Sequence, residues 1–198
     1  MRGCAALVMS ALVTCTNASS GEGRSSPPGP SLSTSSGPSS HTGSEDATLF
    51  VRTCESSVEG DLGPGWRQGE ISAGPVTFVG AQGYADDRED LFSAPGELAT
   101  SQKVLVVVDG DRPVLLSVRH SDAGLAYNPA RWRLRNTVPF RLGYPLTRFE
   151  PCTSGGGRAT QFNGAFLLRG PACVPLEVRP QGAGPLFVTL SFGAGDCP

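Results

Sequence analysis

The chain has 198 residues, with 16 Lys and Arg against 18 Asp and Glu, which gives a formal net charge of −2 at pH 7. This balance creates no overall field that would attract nucleic acid or an anionic membrane surface. We therefore expect no nucleic-acid partner. The length allows one or two domains, but the composition restricts the folded part to the region after residue 46.

The first fifteen residues have the features of an export signal. Arg2 gives a positive start, and an apolar run of about eleven residues follows before Cys15. The run is shorter than the roughly 20 residues that a helix needs to cross a bilayer. It ends in LVTC, which resembles the lipobox of bacterial lipoproteins, although Thr14 stands where a smaller residue is usual. We predict a signal peptide over residues 1–15 and lipidation of Cys15.

Residues 16–46 are predicted to be a disordered linker. Of these 31 positions, eleven are Ser, five Gly and four Pro, so the segment cannot bury enough apolar surface to offset its conformational entropy. A flexible tether directly after Cys15 is what a membrane-anchored domain needs. The expected location is the outer face of the cell membrane, held by two acyl chains. The alternatives are cleavage after Ala18, which would release a secreted protein, and an uncleaved anchor.

Four cysteines fall within residues 47–198, the predicted folded domain, and an exported domain with four cysteines predicts two disulfides. They are Cys54, Cys152, Cys173 and Cys197, whose shortest spacing of 21 residues is too wide for the close ligand pairs of a zinc site. Two pairings remain open. If the domain ends are close, Cys54–Cys197 and Cys152–Cys173 form. A simple antiparallel meander instead favours Cys173–Cys197 and Cys54–Cys152.

Short β-rich runs separated by glycine-rich turns predict an all-β domain, an antiparallel sandwich or a jelly-roll-like fold. The clearest signal is KVLVVVDGDRPVLLSVR (103–119), in which two apolar runs flank Asp109-Gly110-Asp111 and predict a hairpin. One helix is predicted over residues 85–92. The other predicted strands are residues 49–51, 74–80, 131–135, 145–152, 161–169, 173–180 and 185–192.

The sequence contains none of the common catalytic motifs, such as G-x-S-x-G, S-x-x-K or H-E-x-x-H. His120 adjoins Ser121 and Asp122, but neighbours in a chain rarely converge as a triad, so we interpret them as a polar loop. The acids of residues 86–90 are interpreted as a solvated face rather than as paired carboxylates or a calcium site. Asp109 and Asp111 fail the EF-hand pattern, because Val114 occupies its glycine position. We expect no catalytic residue, metal or cofactor.

The strongest candidates for ligand contact lie in RWRLR (131–135). Strict alternation places Arg131, Arg133 and Arg135 on one face of a predicted strand and Trp132 on the other. A row of arginines is suited to an anionic polymer of the cell envelope. The alternative interpretation is an ordinary exposed strand face.

A resemblance extends over most of residues 47–198. The segments TRFEPC (147–152), TQFNGAFLLRGPACVPLEV (160–178) and SFGAGDC (191–197) resemble a family of exported actinobacterial proteins of unknown function. The resemblance implies an extracytoplasmic β domain without an assigned activity. The family often keeps cysteines that match Cys152 and Cys173, so it favours the pairing of these two, with Cys54–Cys197 as the second bond.

The combined expectation is an exported, lipid-anchored β-sandwich that binds a partner without catalysis, either a cell-envelope polymer or another surface protein. The alternative is a secreted hydrolase that acts on cell-wall polymers.

Overall fold

The computed structural model describes residues 49–87, 89–129, 137–153 and 159–198. They form thirteen strands: β1 (Leu49–Arg52), β2 (Ile71–Ala73), β3 (Val76–Val79), β4 (Leu98–Lys103), β5 (Leu105–Val108), β6 (Val114–Val118), β7 (Ala123–Ala126), β8 (Thr137–Pro139), β9 (Leu146–Phe149), β10 (Thr160–Phe162), β11 (Ala165–Leu168), β12 (Ala172–Pro180) and β13 (Leu186–Phe192). The helices among these residues are short 3₁₀ turns, Cys54–Ser56, Gln82–Tyr84, Glu89–Phe92 and Phe140–Leu142.

The strands form three sheets, and the predicted all-β sandwich class is confirmed. One sheet has five strands in the order β1-β9-β6-β12-β13. The other two have four strands each, in the orders β10-β5-β3-β2 and β7-β11-β4-β8. Every pair is antiparallel except β1 with β9, which are parallel.

The two four-stranded sheets are halves of one bent layer. Val104 alone separates β4 from β5, and Asn163 and Gly164 separate β10 from β11. The pairing frame is the same on both sides, since Lys103 pairs with Ala165 and Val106 with Phe162. The amide of Val104 donates a hydrogen bond to the carbonyl of Gly164 across the interruption.

The main core fills the space between the bent layer and the five-stranded sheet. It takes alternate residues from strands of both layers, for example Val114 and Leu116 of β6 with Val174 and Leu176 of β12. A second, smaller cluster with Ala165 and Leu167 lies on the opposite face of β11. This explains why all four residues of β11 are apolar and buried, because a strand covered on both faces does not alternate.

Tyr127 connects the five-stranded sheet to the bend. Its hydroxyl donates a 2.9 Å hydrogen bond to the carbonyl of Val104, and its ring stacks edge-on against Phe149 of β9 at 5.2 Å between centroids. The side chain is fully buried, and this desolvation raises the pKa of the phenol. Tyr127 is therefore neutral, and its hydroxyl acts only as a structural donor.

Arg52, at the end of β1, is a buried cation held by carbonyl groups. Its Nη1 donates to the carbonyl of Tyr127 and its Nη2 to the carbonyl of Ser56 at 2.5 Å. Its guanidinium also lies 5.7 Å from the centre of the Phe162 ring. Burial lowers the pKa of Arg52, but an arginine inside a protein stays protonated. The residue ties β1 to the segment that carries Tyr127.

Two disulfides join all four cysteines of the domain, as predicted, but the favoured pairing is wrong. The bonds are Cys54–Cys152 and Cys173–Cys197, with Cα–Cα distances of 4.8 and 5.6 Å. Cys54 and Cys197 follow β1 and β13, which are opposite edges of the five-stranded sheet. Four strand spacings separate these edges by about 19 Å, too far for a disulfide. On the chain-entropy model, loops of 98 and 24 residues stabilise by about 4.7 and 3.4 kcal/mol.

Three local predictions are also corrected. The hairpin over residues 103–119 does not form, because β5 belongs to the bent layer and β6 to the five-stranded sheet. The single strand predicted at 161–169 is divided at Asn163 and Gly164. The helix predicted at 85–92 is replaced, in its described part, by the 3₁₀ turn Glu89–Phe92. The strand predicted at 131–135, the signal peptide and the linker lie outside the described residues.

Replacing Gly164 by alanine should destabilise the domain. The new Cβ would lie 2.5 Å from Cε1 of Tyr127 and closer still to Cδ1, and the buried ring has no room to move. We expect a loss of about 2 kcal/mol in the free energy of unfolding, typical of an overpacked core. The measurement is urea unfolding without reductant. Gly170→Ala, whose Cβ would meet nothing within 4 Å, is the control, and equal stability of the two variants would contradict the prediction.

Candidate functional site

The five-stranded sheet covers the core with one face and leaves part of the other face open. Residues that alternate with the core positions point outward, and several are exposed apolar side chains. Leu49 and Val51 on β1 are 44% and 41% exposed, and Phe187 on β13 is 68% exposed. Leu49 and Val51 are neighbours on β1, whereas Phe187 lies at the opposite edge of the sheet. Adjacent exposed apolar side chains are more informative than isolated ones, because they mark interaction sites.

A groove runs along β6 on this open face. It consists of two adjoining depressions of about 340 and 220 Å³ that share Leu115 and Arg179. The larger depression is lined by Leu49, Pro113, Leu115, Arg148, Arg179 and Pro180, with the 181–183 turn. The smaller is lined by Leu115, Ser117, Arg119, Leu146, Glu177 and Arg179. We call this surface the β6 groove.

Strand register places one arginine on each side of a leucine in the β6 groove. Leu115 pairs with Arg148 of β9 and with Arg179 of β12. One pair further along, Ser117 lies between Leu146 and Glu177. Side chains directly opposite each other on one face have Cβ atoms about 5 Å apart. The sheet itself therefore sets the spacing of the cations and the apolar floor.

Glu177 is a covered carboxylate between two exposed arginines. Its Oε2 accepts a hydrogen bond from Nη2 of Arg119, and its Oε1 accepts one from Nη2 of Arg179. Only 4% of the Glu177 side chain is exposed, against 57% for Arg119 and 54% for Arg179. The hydrogen bond from Arg119, and then that from Arg179, lowers the pKa of Glu177, although desolvation opposes them. A ligand approaching this face meets the cations first.

Arg148 has a weaker partner. Its Nε lies 3.2 Å from Oε1 of Glu150, and both side chains are substantially exposed, at 44% and 39%. Surface ion pairs of this kind contribute about 0–1 kcal/mol, because water screens them. The Arg148 guanidinium can therefore exchange this carboxylate for one on a ligand at little cost.

The residues predicted to contact a ligand, Arg131, Trp132, Arg133 and Arg135, lie outside the described residues, and so does Cys15. The interpretation of residues 120–122 as a polar loop agrees with their geometry. Nδ1 of His120 accepts a 3.1 Å hydrogen bond from the amide of Asp122, and Oγ of Ser121 donates to Oδ2 of Asp122 at 3.3 Å. These contacts close a local turn and do not connect the serine to the imidazole.

Within the described part of the chain, His, Cys, Asp and Glu side chains make no group of three or more that is suited to a metal ion. Asp109 instead accepts a 2.5 Å hydrogen bond from Nη2 of Arg67, whose guanidinium stacks on Trp66 at 4.3 Å. That arginine covers one face of an aromatic ring that could otherwise stack on a sugar.

Comparison with known proteins adds no relative. No protein-family model, curated protein or solved structure matches this chain. Its function must therefore be argued from its own residues. The two disulfides indicate an oxidising, extracytoplasmic environment. Where helices are described, none is long and apolar enough to cross a membrane.

The β6 groove was not among the sequence-based candidates, although part of its signal was readable. In CVPLEVRP (173–180), strict alternation already places Glu177 and Arg179 on one face of a strand. Arg119 and Arg148 could not be added to them without the pairing of three strands that are distant in sequence.

The stabilising role of Glu177 should depend on pH. The pKa of Glu177 in the folded protein is below its usual value of 4.5. Between these two pKa values the folded protein therefore binds fewer protons than the unfolded protein. Its contribution should be complete above about pH 5 and should decline as the pH falls through the lowered folded-state pKa. We expect the difference in thermal midpoint between the protein and Glu177→Gln to shrink from pH 6 to pH 3. A difference that stays constant over this range would show that the carboxylate charge is not responsible.

Proposed function

We propose that the protein is an exported, lipid-anchored binding module of the cell envelope, and that the open face of the five-stranded sheet is its binding surface. The observation that carries the proposal is the β6 groove, where exposed arginines flank an apolar floor. Arginine and apolar side chains together are characteristic of interaction surfaces.

The surroundings of the titratable groups support binding rather than catalysis. Glu177 is engaged by two arginines, which hold it as an anion and leave it unsuited to proton transfer near neutral pH. Nδ1 of His120 accepts a hydrogen bond from the backbone of its own turn, and His120 does not line the β6 groove. A hydrolase of envelope polymers would need a general acid or base facing a cleft, and neither group fulfils that role.

Export and anchoring are supported by the N-terminal sequence and by the disulfides. Residues 1–15 have the pattern of a bacterial lipoprotein signal ending at Cys15, and residues 16–46 have the composition of a tether. The domain carries two disulfides, which persist outside the cytosol. A tethered domain presents its open sheet face to neighbouring envelope components.

Intact-mass spectrometry of the full chain, isolated from the membrane fraction, tests anchoring. We expect a chain that starts at Cys15 and carries two acyl chains, and a gain of four hydrogens on reduction of two disulfides. Cys15→Ser should abolish the lipid mass. An unmodified chain that starts after Ala18 would show plain secretion, and free thiols before reduction would contradict the extracytoplasmic location.

Cosedimentation with purified cell envelopes tests the binding role. We expect the detergent-solubilised protein to sediment with envelopes and Arg148→Glu to weaken this at least about tenfold, since it places a carboxylate beside the groove floor. Arg141→Glu, an exposed arginine of the 3₁₀ turn Phe140–Leu142, is the matched control. Equal sedimentation of both variants would contradict the assignment of the face. Release of soluble fragments from labelled envelopes would indicate a hydrolase instead.

A further inference from the structure

We propose that the β6 groove binds an extended acidic polypeptide segment of another envelope protein, with its carboxylates on the arginines and its apolar side chains on the groove floor. This proposal deepens the binding role proposed above and rests on it. It identifies the chemistry of the partner and the direction in which the partner lies, along β6.

The length of the β6 groove fits an extended chain. From Pro113 to Arg119 the groove follows six residue steps, which at about 3.3 Å per residue give about 20 Å. Outward residues on a strand recur about every 6.7 Å, as do the side chains on one face of an extended peptide. A segment of about seven residues can therefore align its alternate side chains with positions 113, 115, 117 and 119.

Among the residues that line the β6 groove, the charges exposed to a ligand are positive. Glu177 contributes a negative charge, but its side chain is 96% covered, whereas Arg119 and Arg179 leave more than half of their side chains exposed. Glu177 also fixes both guanidinium groups by hydrogen bonds, which reduces the entropy lost when they bind a ligand. Carboxylates are the natural partners of such preorganised arginines.

The apolar floor argues for a polypeptide over a simple polyanion. Leu115 lies between Arg148 and Arg179, and Leu49, Leu146 and two prolines extend the apolar surface. A hydrophilic polyanion could pair with the arginines but would gain nothing from covering these side chains. A peptide that carries both carboxylate and apolar side chains on the same face of its extended chain gains from both.

The size of the open face argues against a second folded domain as the partner. Five strands span about 19 Å, so the face offers about 400 Å² over the 20 Å length of the groove. A stable interface between folded proteins buries about 800 Å² on each partner. A short segment fits this area, whereas a second copy of the chain seated on the groove alone would leave about half of a stable interface unformed.

Fluorescence anisotropy with synthetic peptides tests the proposal on the full, detergent-solubilised chain. The probe, called the Glu-Val probe, is labelled Val-Ser-Glu-Ser-Val-Ser-Glu, whose Val and Glu side chains lie on one face of an extended chain. The matched peptides replace each Glu with Lys, or each Val with Ser. We expect the Glu-Val probe to bind at low salt, the Lys-Val peptide to show no binding, and the Glu-Ser peptide to bind at least about tenfold more weakly.

Two surface variants locate the bound peptide. Arg148→Glu removes a cation, and Leu49→Ser removes an apolar side chain that is already 44% exposed, so neither should unfold the domain. Each should weaken the Glu-Val probe at least about tenfold, while Arg141→Glu should leave binding unchanged. Thermal melting confirms that each variant is folded. Binding unaffected by both groove variants, or equal affinity for the Glu-Ser peptide, would overturn the proposal.

Protease treatment of the envelopes separates this proposal from the general binding role. If cosedimentation depends on Arg148 and is lost after protease treatment, a protein partner is supported. If it depends on Arg148 but survives protease, the groove binds a polymer, and the binding role holds while the polypeptide proposal fails. If sedimentation velocity shows a dimer that Arg148→Glu dissociates, a second copy occupies the groove, which also overturns the polypeptide proposal.

Discussion

The close approach of the Tyr127 ring to the backbone of Gly164 is the contact on which the architecture depends. It occurs where β4 continues into β5 and β10 into β11, at the bend of the second layer. Any side chain at position 164 would occupy the space of the ring. With glycine there, the Tyr127 ring fills the inside of the bend, and its hydroxyl donates a hydrogen bond to the Val104 carbonyl. The backbone carbonyl of Tyr127 accepts a hydrogen bond from Arg52 of the five-stranded sheet. One residue thus connects both layers.

This arrangement leaves the two layers with different exposure. The bent layer has a second apolar cluster on its far face, under residues 138–142, so part of it is buried on both sides. The five-stranded sheet has its open face available, and a disulfide lies near each of its edges. Cys54–Cys152 joins the segments that follow β1 and β9, and Cys173–Cys197 joins β12 to the segment that follows β13. The strand positions that form the β6 groove are therefore held by the sheet ladder and by covalent bonds at both edges.

The sequence predicted the strands whose side chains alternate or form long apolar runs, such as β6, β12 and β13, and hence the fold class. It did not reveal β7 or β8, which are short, nor β4, whose residues are largely polar. A local pattern also does not show in which layer a strand lies, so Asp109-Gly110-Asp111 predicts a hairpin although β5 and β6 belong to different sheets. The disulfide pairing depended on the parallel β1–β9 pair, which brings the ends that precede Cys54 and Cys152 together. The sequence of neither strand alone indicates that the two strands pair. For the same reason, the arginines on both sides of Leu115 required the register of three strands.

The position of Cys54 has a mechanical consequence. The chain enters the domain through β1, an edge strand that pairs with β9 alone. Tension transmitted through the residues before Leu49 would act first on that four-residue ladder, which by itself offers little resistance. The covalent link from Cys54 to Cys152 lies just beyond it and passes the load to the segment that follows β9. The bond thus limits peeling to a single strand, and residues 55–151, which it encloses, are bypassed by tension that passes from Cys54 to the chain after Cys152.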